Sequence, residues 1–168
     1  LDAAAVSLSS TAAVKNVNAG TLNINCPVTW EKNGSLTVHL AVKPFVLSDR
    51  AIALTVQSEN YNPGDRFDIK GLDAQGREVT AFYTYNPLTT PTRLVCVPGR
   101  DSGGMRYFAD DIKAPAGAAI CKLQFSLGRK GPSEPIRLRI GNLELISAPP
   151  APKATGFQNF GVGIASAE

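Results

Sequence analysis

Histidine and cysteine are scarce in this sequence, and their scarcity argues against several kinds of site. The chain has a single histidine, His39, and three cysteines with no Cys-x-x-Cys pair among them. A zinc site of the usual cysteine and histidine type is therefore not expected. A catalytic triad or an activated cysteine would have to use His39. That residue lies in an alternating stretch typical of a β-strand, where we expect a solvated imidazole or one paired with a neighbouring strand.

The three cysteines cannot all pair within one chain. Their number permits one disulfide with one free thiol, or no disulfide. Cys121 alternates with Leu123 and Phe125, which predicts a small buried apolar side chain.

Charge of one sign does not dominate any part of the sequence. Seventeen Lys and Arg face fourteen Asp and Glu, and the densest basic cluster is Arg129, Lys130, Arg137 and Arg139. Nucleic-acid-binding proteins usually carry a basic stripe with aromatic residues and a known motif, so we expect no nucleic-acid partner. Arg137 and Arg139 alternate with apolar residues and are expected on the solvent face of a strand. No stretch approaches the 18 apolar residues needed to cross a bilayer, so no membrane insertion is expected.

Uninterrupted helical stretches are also missing. Fifteen glycines and twelve prolines are spread along 168 residues and would break most long helices. The chain is 43 % hydrophobic and 18 % charged, which suffices for a core and is too little charge for a disordered chain. One folded domain of ordinary size is the expectation.

Strand signals fill most of the remaining sequence. Apolar residues at every second position between Leu36 and Val42 predict a strand with one buried face. The preceding Asn33-Gly34 dipeptide predicts a two-residue hairpin that pairs this strand with residues 22–30. Residues 74–76 predict a second turn, between strands that begin at Phe67 and Val79.

The alternation of apolar and polar residues shifts by one position within the last predicted strand. Apolar residues occupy every second position from Ile136 to Ile140 and resume at Leu143, so the pattern shifts by one across Gly141 and Asn142. A β-bulge there would return the same face to the core, and glycine accommodates such a bulge easily.

About eight or nine such strands, separated by Gly, Pro and Asn, predict an all-β fold: an antiparallel β-sandwich, with a jelly roll as the expected topology. Residues 1–146 would form the sandwich. Residues 147–168, rich in Pro, Gly and Ala, would be a linker or a C-terminal segment docked through Phe157 and Phe160. A start at Leu1 indicates a removed signal peptide or a segment of a longer polypeptide, and hence a secreted, periplasmic or cell-surface location.

The end of the predicted sandwich resembles a known family. Residues 118–127, AAICKLQFSL, and residues 136–145, IRLRIGNLEL, are similar to the closing strands of carbohydrate-binding jelly rolls of the galactose-binding-like superfamily. The resemblance implies a non-catalytic, accessory carbohydrate-binding module of a secreted glycan-active protein. Its implied partners are a glycan or polysaccharide and a covalently linked catalytic domain.

The resemblance departs from the family pattern at one position. Many of these domains have Asp where this chain has Gly141, and that Asp contributes to a structural calcium site. Structural calcium is the one cofactor that the family suggests. Because Gly141 lacks the side-chain ligand, we carry no cofactor over to this chain.

Sugar sites combine an aromatic platform with short polar or bidentate groups. Tyr61 lies in a predicted loop. Tyr83 and Tyr85 share one face of a predicted strand, which is a binding site, part of the core or plain sheet surface. Trp30 is either an aromatic platform for a sugar or a residue that covers the core. The candidate ligand-binding residues are Trp30, Asn60, Tyr61, Asn62, Tyr83, Tyr85, Arg100, Asp101 and Tyr107.

Catalysis has little support in the sequence. Glycoside cleavage needs two carboxyl groups about 5 to 10 Å apart across the sugar. Asp110 and Asp111 form the only adjacent acid pair, and neighbours on an extended chain point to opposite faces. No Gly-x-Ser-x-Gly turn is present. We therefore expect no enzyme, no catalytic residues and no metal site. The alternative function is a structural or protein-interaction sandwich of a cell-surface protein that binds no sugar.

Overall fold

The computed structural model of the protein describes residues 6–8, 14–18, 20–27, 32–102, 104–131 and 135–152. Within these ranges lie eleven strands and one 3₁₀ turn, Ala109–Asp111. The strands are β1 (Val6–Leu8), β2 (Val14–Asn18), β3 (Thr21–Cys26), β4 (Gly34–Phe45), β5 (Arg50–Glu59), β6 (Arg66–Leu72), β7 (Glu78–Thr84), β8 (Thr92–Cys96), β9 (Arg106–Tyr107), β10 (Ile120–Arg129) and β11 (Ile136–Ser147). No helix in the described ranges is long and apolar enough to cross a bilayer.

The strands form two antiparallel sheets. One has six strands in the order β1-β4-β10-β6-β7-β9, and the other has five in the order β2-β3-β11-β5-β8. The predicted antiparallel β-sandwich is confirmed. The chain changes sheet seven times, between β1 and β2, β3 and β4, β4 and β5, β5 and β6, β7 and β8, β8 and β9, and β10 and β11, as in a jelly roll. The described strands outnumber the predicted eight or nine because β1 and β9, with three and two residues, are too short to show an alternating pattern.

The core lies between the sheets and is filled by every second side chain. Leu36, Val38 and Leu40 of β4 are buried, as their alternation predicts. Phe67 of β6 and Phe125 of β10 stack with ring centroids 6.4 Å apart. The polar side chains between these positions consequently face outward on both sheets.

The predicted bulge in β11 is confirmed. Gly141 lies opposite Thr55 and Glu144 opposite Ala53, so β11 carries one extra residue against β5. Asn142 has a φ of 49°, in the left-handed region. Leu143 beyond the bulge packs against the core.

The hairpin predicted at Asn33-Gly34 is wrong. β3 lies in the five-stranded sheet and β4 in the six-stranded sheet, so the two do not pair. Both strands turn an apolar face to the same core, and they do so from opposite layers. A turn dipeptide is a local signal. It does not decide whether the two flanking strands pair in one sheet or lie in opposite sheets. The turn at residues 74–76 does join a hairpin, since β6 pairs with β7.

The prediction of a buried Cys121 is also wrong, whereas the one for His39 is confirmed. An irregularity in the pairing of β10 with β4 falls between Ile120 and Lys122. This irregularity shifts the alternation of core-facing and outward-facing side chains by one residue. Ile120 therefore enters the core, and Cys121 is partly exposed. His39 Nε2 lies 3.0 Å from Gln124 Oε1 on the neighbouring strand.

The described chain ends just beyond β11. Ser147 lies opposite Arg50, and the Ala148 N–H donates to the Asp49 carbonyl at 2.9 Å. Residues 153–168, with the predicted anchors Phe157 and Phe160, lie outside the described ranges.

Candidate functional site

The outer face of the five-stranded sheet carries rows of polar side chains. Asn23 of β3 lies opposite Asn16 of β2 and Arg139 of β11, and Arg139 lies opposite Gln57 of β5. Since neighbouring strands are about 4.8 Å apart, these four side chains form one row across the sheet. Asn23 Nδ2 donates to Asn16 Oδ1 at 3.2 Å, and Arg139 Nη1 donates to Gln57 Oε1 at 3.5 Å.

Two adjoining cavities of about 390 Å³ and 350 Å³ lie on this face. Asn23 and Arg139 line both cavities, so the two form one depression, which we call the amide groove. Gly141 also lines the second cavity, and a Cβ at that position would lie 3.0 Å from Thr21 Oγ1. The other polar side chains of the lining are Asn16, Asn18, Thr21, Asn25, Thr55, Gln57, Glu59, Arg137 and Asn142.

The guanidinium groups of the groove share one carboxylate. Glu59 accepts from Arg137 Nη1 at 3.4 Å and lies 3.3 Å from Arg139 Nη2. The two arginine side chains are 62 % and 54 % exposed. A guanidinium has five N–H donors, and one shared acceptor satisfies few of them. The groove therefore presents hydrogen-bond donors from guanidinium groups beside amides that both donate and accept.

The bulge of β11 adds a further amide to the groove. The left-handed backbone at Asn142 places its Nδ2 3.3 Å from the Thr55 hydroxyl, to which it donates. The groove thus has amide or guanidinium groups from β2, β3, β5 and β11.

Sequence reasoning missed the amide groove. Arg137 and Arg139 are correctly expected on a solvent face, but their neighbours across the sheet are not apparent in the sequence. A signal was present in the asparagines, which occupy alternate positions in β2 and β3, at Asn16 and Asn18 and at Asn23 and Asn25. Amides at every second position of two adjacent strands indicate a polar face with hydrogen-bonding capacity.

Two predicted site residues, Tyr83 and Tyr85, lie on the outer face of the other sheet. Their ring centroids are 5.9 Å apart in an edge contact, and Tyr83 makes a second edge contact with Phe108. The guanidinium carbon of Arg66 lies 4.3 Å from the Tyr83 ring centroid and 6.0 Å from that of Tyr85. Tyr83 is partly buried and Tyr85 is 54 % exposed.

Tyr61 supports this cluster without presenting a free platform. Its hydroxyl donates to the Tyr85 carbonyl at 3.2 Å and also to the Asp65 carbonyl. Burial, with the nearby Asp65 charge, raises the pKa of Tyr61 to about 12. The hydroxyl therefore remains a hydrogen-bond donor throughout the neutral pH range.

Asn60 and Asn62 hold the loop between β5 and β6 in place. Asn62 Nδ2 donates to the Lys130 carbonyl at 3.0 Å, and Asn60 Nδ2 donates to the Pro135 carbonyl at 3.4 Å. These side-chain contacts within the protein give both residues a structural role.

The remaining predicted residues lie elsewhere. Asp101 accepts from the Tyr107 N–H at 2.9 Å, and an Arg100 guanidinium N–H donates to the Pro149 carbonyl. The Tyr107 ring packs against the core beside Phe82, 5.6 Å away between centroids. The structure thus groups Tyr61, Tyr83 and Tyr85, whereas the Tyr107 ring is turned toward the core. Arg100 and Asp101 bond to the backbone at Pro149 and Tyr107.

Two further sequence candidates remain. Trp30 lies outside the described residues. Asp110 and Asp111 lie in the 3₁₀ turn, where the Asp111 carboxylate pairs with Lys70 Nζ at 2.9 Å. Within the described ranges, no three His, Cys, Asp or Glu side chains group in a way that could hold a metal ion.

No family model and no curated protein matches this sequence. Solved structures match it by fold. An agarase matches with a TM-score of 0.59 and 14 % identity, over 89 % of this chain and 23 % of the agarase chain. The chain thus spans less than a quarter of the length of that enzyme.

Carbohydrate-binding modules match over most of both lengths. The family 11 module of a cellulosomal cellulase of Clostridium thermocellum matches with a TM-score of 0.53 and 12 % identity, over 88 % of this chain and 89 % of that one. A family 11 module from the same organism, in complex with a β-1,3-1,4-mixed-linked tetrasaccharide, has the same TM-score and identity. The chain therefore has a sandwich fold like that of carbohydrate-binding modules, as the sequence resemblance implies.

Proposed function

We propose that this protein is a non-catalytic carbohydrate-binding module and that the amide groove is its principal glycan-binding site. The main observation in support is the groove itself, in which amide and guanidinium groups from four strands line two adjoining cavities. Sugar hydroxyls both donate and accept hydrogen bonds, and such a lining offers partners for both. The fold likeness to a module bound to a tetrasaccharide supports the same function.

The setting of the module is part of the proposal. The agarase that shares the fold is a chain more than four times as long as the matched part, which covers 23 % of it. We infer that this domain likewise works beside a covalently linked catalytic domain of a secreted or cell-surface glycan-active protein. Its own contribution would be to hold that enzyme on its polysaccharide.

Affinity gel electrophoresis tests the proposed function. The protein would be run through gels that contain mixed-linked β-1,3-1,4-glucan, agarose, hydroxyethyl cellulose or alginate, and we expect retardation by at least one of them. Replacing Asn23 and Arg139 together by Ala should weaken that binding about tenfold or more, because hydrogen bonds that involve a charged group contribute about 1.5–3 kcal/mol each.

A matched control is Lys43→Ala, which removes an exposed cation from the other sheet. It should leave the retardation unchanged. No retardation of the unmodified protein by any of the four polysaccharides would overturn the proposal and favour a structural or protein-interaction module.

A further inference from the structure

Tyr85 is an exposed aromatic side chain on the sheet opposite the amide groove. It is one of two large apolar or aromatic side chains that are exposed among the described residues, the other being Val46. With Tyr83 and Arg66 it forms what we call the tyrosine–arginine patch. An exposed tyrosine ring offers a flat apolar face on which the C–H face of a sugar stacks.

The patch is held in place from beneath. The Tyr61 hydroxyl donates to the carbonyls of Tyr85 and Asp65, and the Asp65 carboxylate pairs with Arg129 in the protein interior. Both members of that pair have fully buried side chains. A ligand that stacks on Tyr85 would therefore meet a backbone already fixed, which lowers the entropic cost of binding.

The charge of the patch favours an uncharged ligand. Arg66 Nη2 lies 2.6 Å from Asp68 Oδ1, and Arg66 Nε donates to the same oxygen at 2.8 Å. The Asp68 carboxylate offsets the charge of Arg66, so this guanidinium by itself gives an anion little net attraction. The remaining N–H groups of a guanidinium beside an aromatic face suit the hydroxyls of a neutral sugar.

We propose that the tyrosine–arginine patch is a second binding surface, specific for a neutral polysaccharide, and that the protein bridges separate polysaccharide chains. This inference rests on the proposed function of the amide groove. The two surfaces lie on the outer faces of opposite sheets, whose layers are about 10 Å apart, and they point in opposite directions. A straight glycan chain on one face does not reach the other, so occupation of both surfaces links two chains.

Light scattering of protein and polysaccharide mixtures tests the bridging. Each neutral polysaccharide that retards the protein in a gel would be titrated with the unmodified protein, with Tyr85→Ala and with Tyr85→Phe. We expect scattering to rise to a maximum at an intermediate ratio for the unmodified protein. Tyr85→Ala should abolish the rise while the groove still binds, and Tyr85→Phe, which keeps the ring, should retain most of it.

Val46→Ala is the control for loss of an exposed apolar side chain away from the patch, and it should scatter as the unmodified protein does. Thermal unfolding would verify that Tyr85→Ala is folded. Gel retardation without scattering by the unmodified protein, or equal scattering by Tyr85→Ala, overturns the second surface and leaves the proposed function standing. Retardation by alginate alone also overturns it, since alginate is anionic. Failure of all four polysaccharides to retard the protein overturns both.

Discussion

At the scale of single residues, the Asp65 and Arg129 pair holds together one end of the sandwich. The Asp65 carboxylate accepts from Arg129 Nε at 3.0 Å, from the Lys130 N–H at 2.9 Å and from the Asn62 N–H at 2.9 Å. Arg129 also donates to the Asn60 carbonyl. These bonds tie the loop after β5 to the end of β10.

Loss of this pair should be costly. We expect Asp65→Asn to lower the free energy of unfolding by about 3–5 kcal/mol, because the variant leaves a buried guanidinium without its counterion. Urea unfolding followed by circular dichroism measures the change.

The exposed pair of Arg93 and Glu144, 2.7 Å apart, is the matched control. Glu144→Gln should change the free energy of unfolding by at most about 1 kcal/mol. An equally small effect of Asp65→Asn would show that the buried pair contributes no more than a surface pair.

At the scale of strands, Gly71 of β6 leaves room for side chains of the two strands that flank it in the six-stranded sheet, β10 and β7. A Cβ at that position would lie 2.5 Å from Ile120 Cδ1 and 3.1 Å from Thr80 Cγ2. Ile120 takes this place because the irregularity in β10 turns it, and not Cys121, toward the core. The small residue in one strand therefore accommodates the large residue of another.

Gly71→Ala should lower the free energy of unfolding by about 1–3 kcal/mol through overpacking. Ile120→Val should cost about 0.5–1.5 kcal/mol alone, but in the double variant it removes the clashing methyl, so the combined loss should be less than the sum. The double-mutant cycle, measured by urea unfolding, gives the coupling.

Gly128 of β10 offers the control, because a Cβ there would meet only the Arg66 carbonyl, at 3.7 Å. Gly128→Ala should change the stability by no more than about 0.5 kcal/mol. Strict additivity of the Gly71 and Ile120 substitutions would contradict the proposed clash.

At the scale of the whole molecule, the three cysteines lie on three different strands, β3, β8 and β10. All three are free thiols, and Cys26 and Cys96 are buried. Their strands, β3 and β8, are separated by β11 and β5, which is about 14 Å at the usual strand spacing. Cys121 lies in the other sheet. A disulfide requires Cα atoms within about 7 Å, so the fold does not bring the Cys26 and Cys96 thiols together.

Thiol labelling should therefore report the integrity of the sandwich. With a thiol reagent at mildly alkaline pH, we expect one fast reaction per native chain, at Cys121. Cys26 and Cys96 should react only on global unfolding, since burial excludes the reagent, and burial also raises the pKa of the Cys96 thiol above its ordinary value. Cys121→Ser should abolish the fast reaction, and two fast thiols in the native protein would contradict the described core.

Much of the strand pattern follows from local sequence. Alternation between Leu36 and Leu40 predicts which side chains enter the core, and the shift at Gly141 predicts the bulge. Both depend on the two-residue period of an extended chain, which each strand carries within itself. The outward direction of Arg137 and Arg139 has the same origin.

The partners of each strand depend on contacts between distant segments. The Asn33-Gly34 dipeptide does not reveal that β3 and β4 lie in opposite sheets, and Asp65 does not reveal that Arg129 is its counterion. The amide groove likewise exists only because β11 lies between β3 and β5, which brings Arg139 between Asn23 and Gln57. These positions are set by how two apolar faces close over one core, and that packing depends on the whole chain at once.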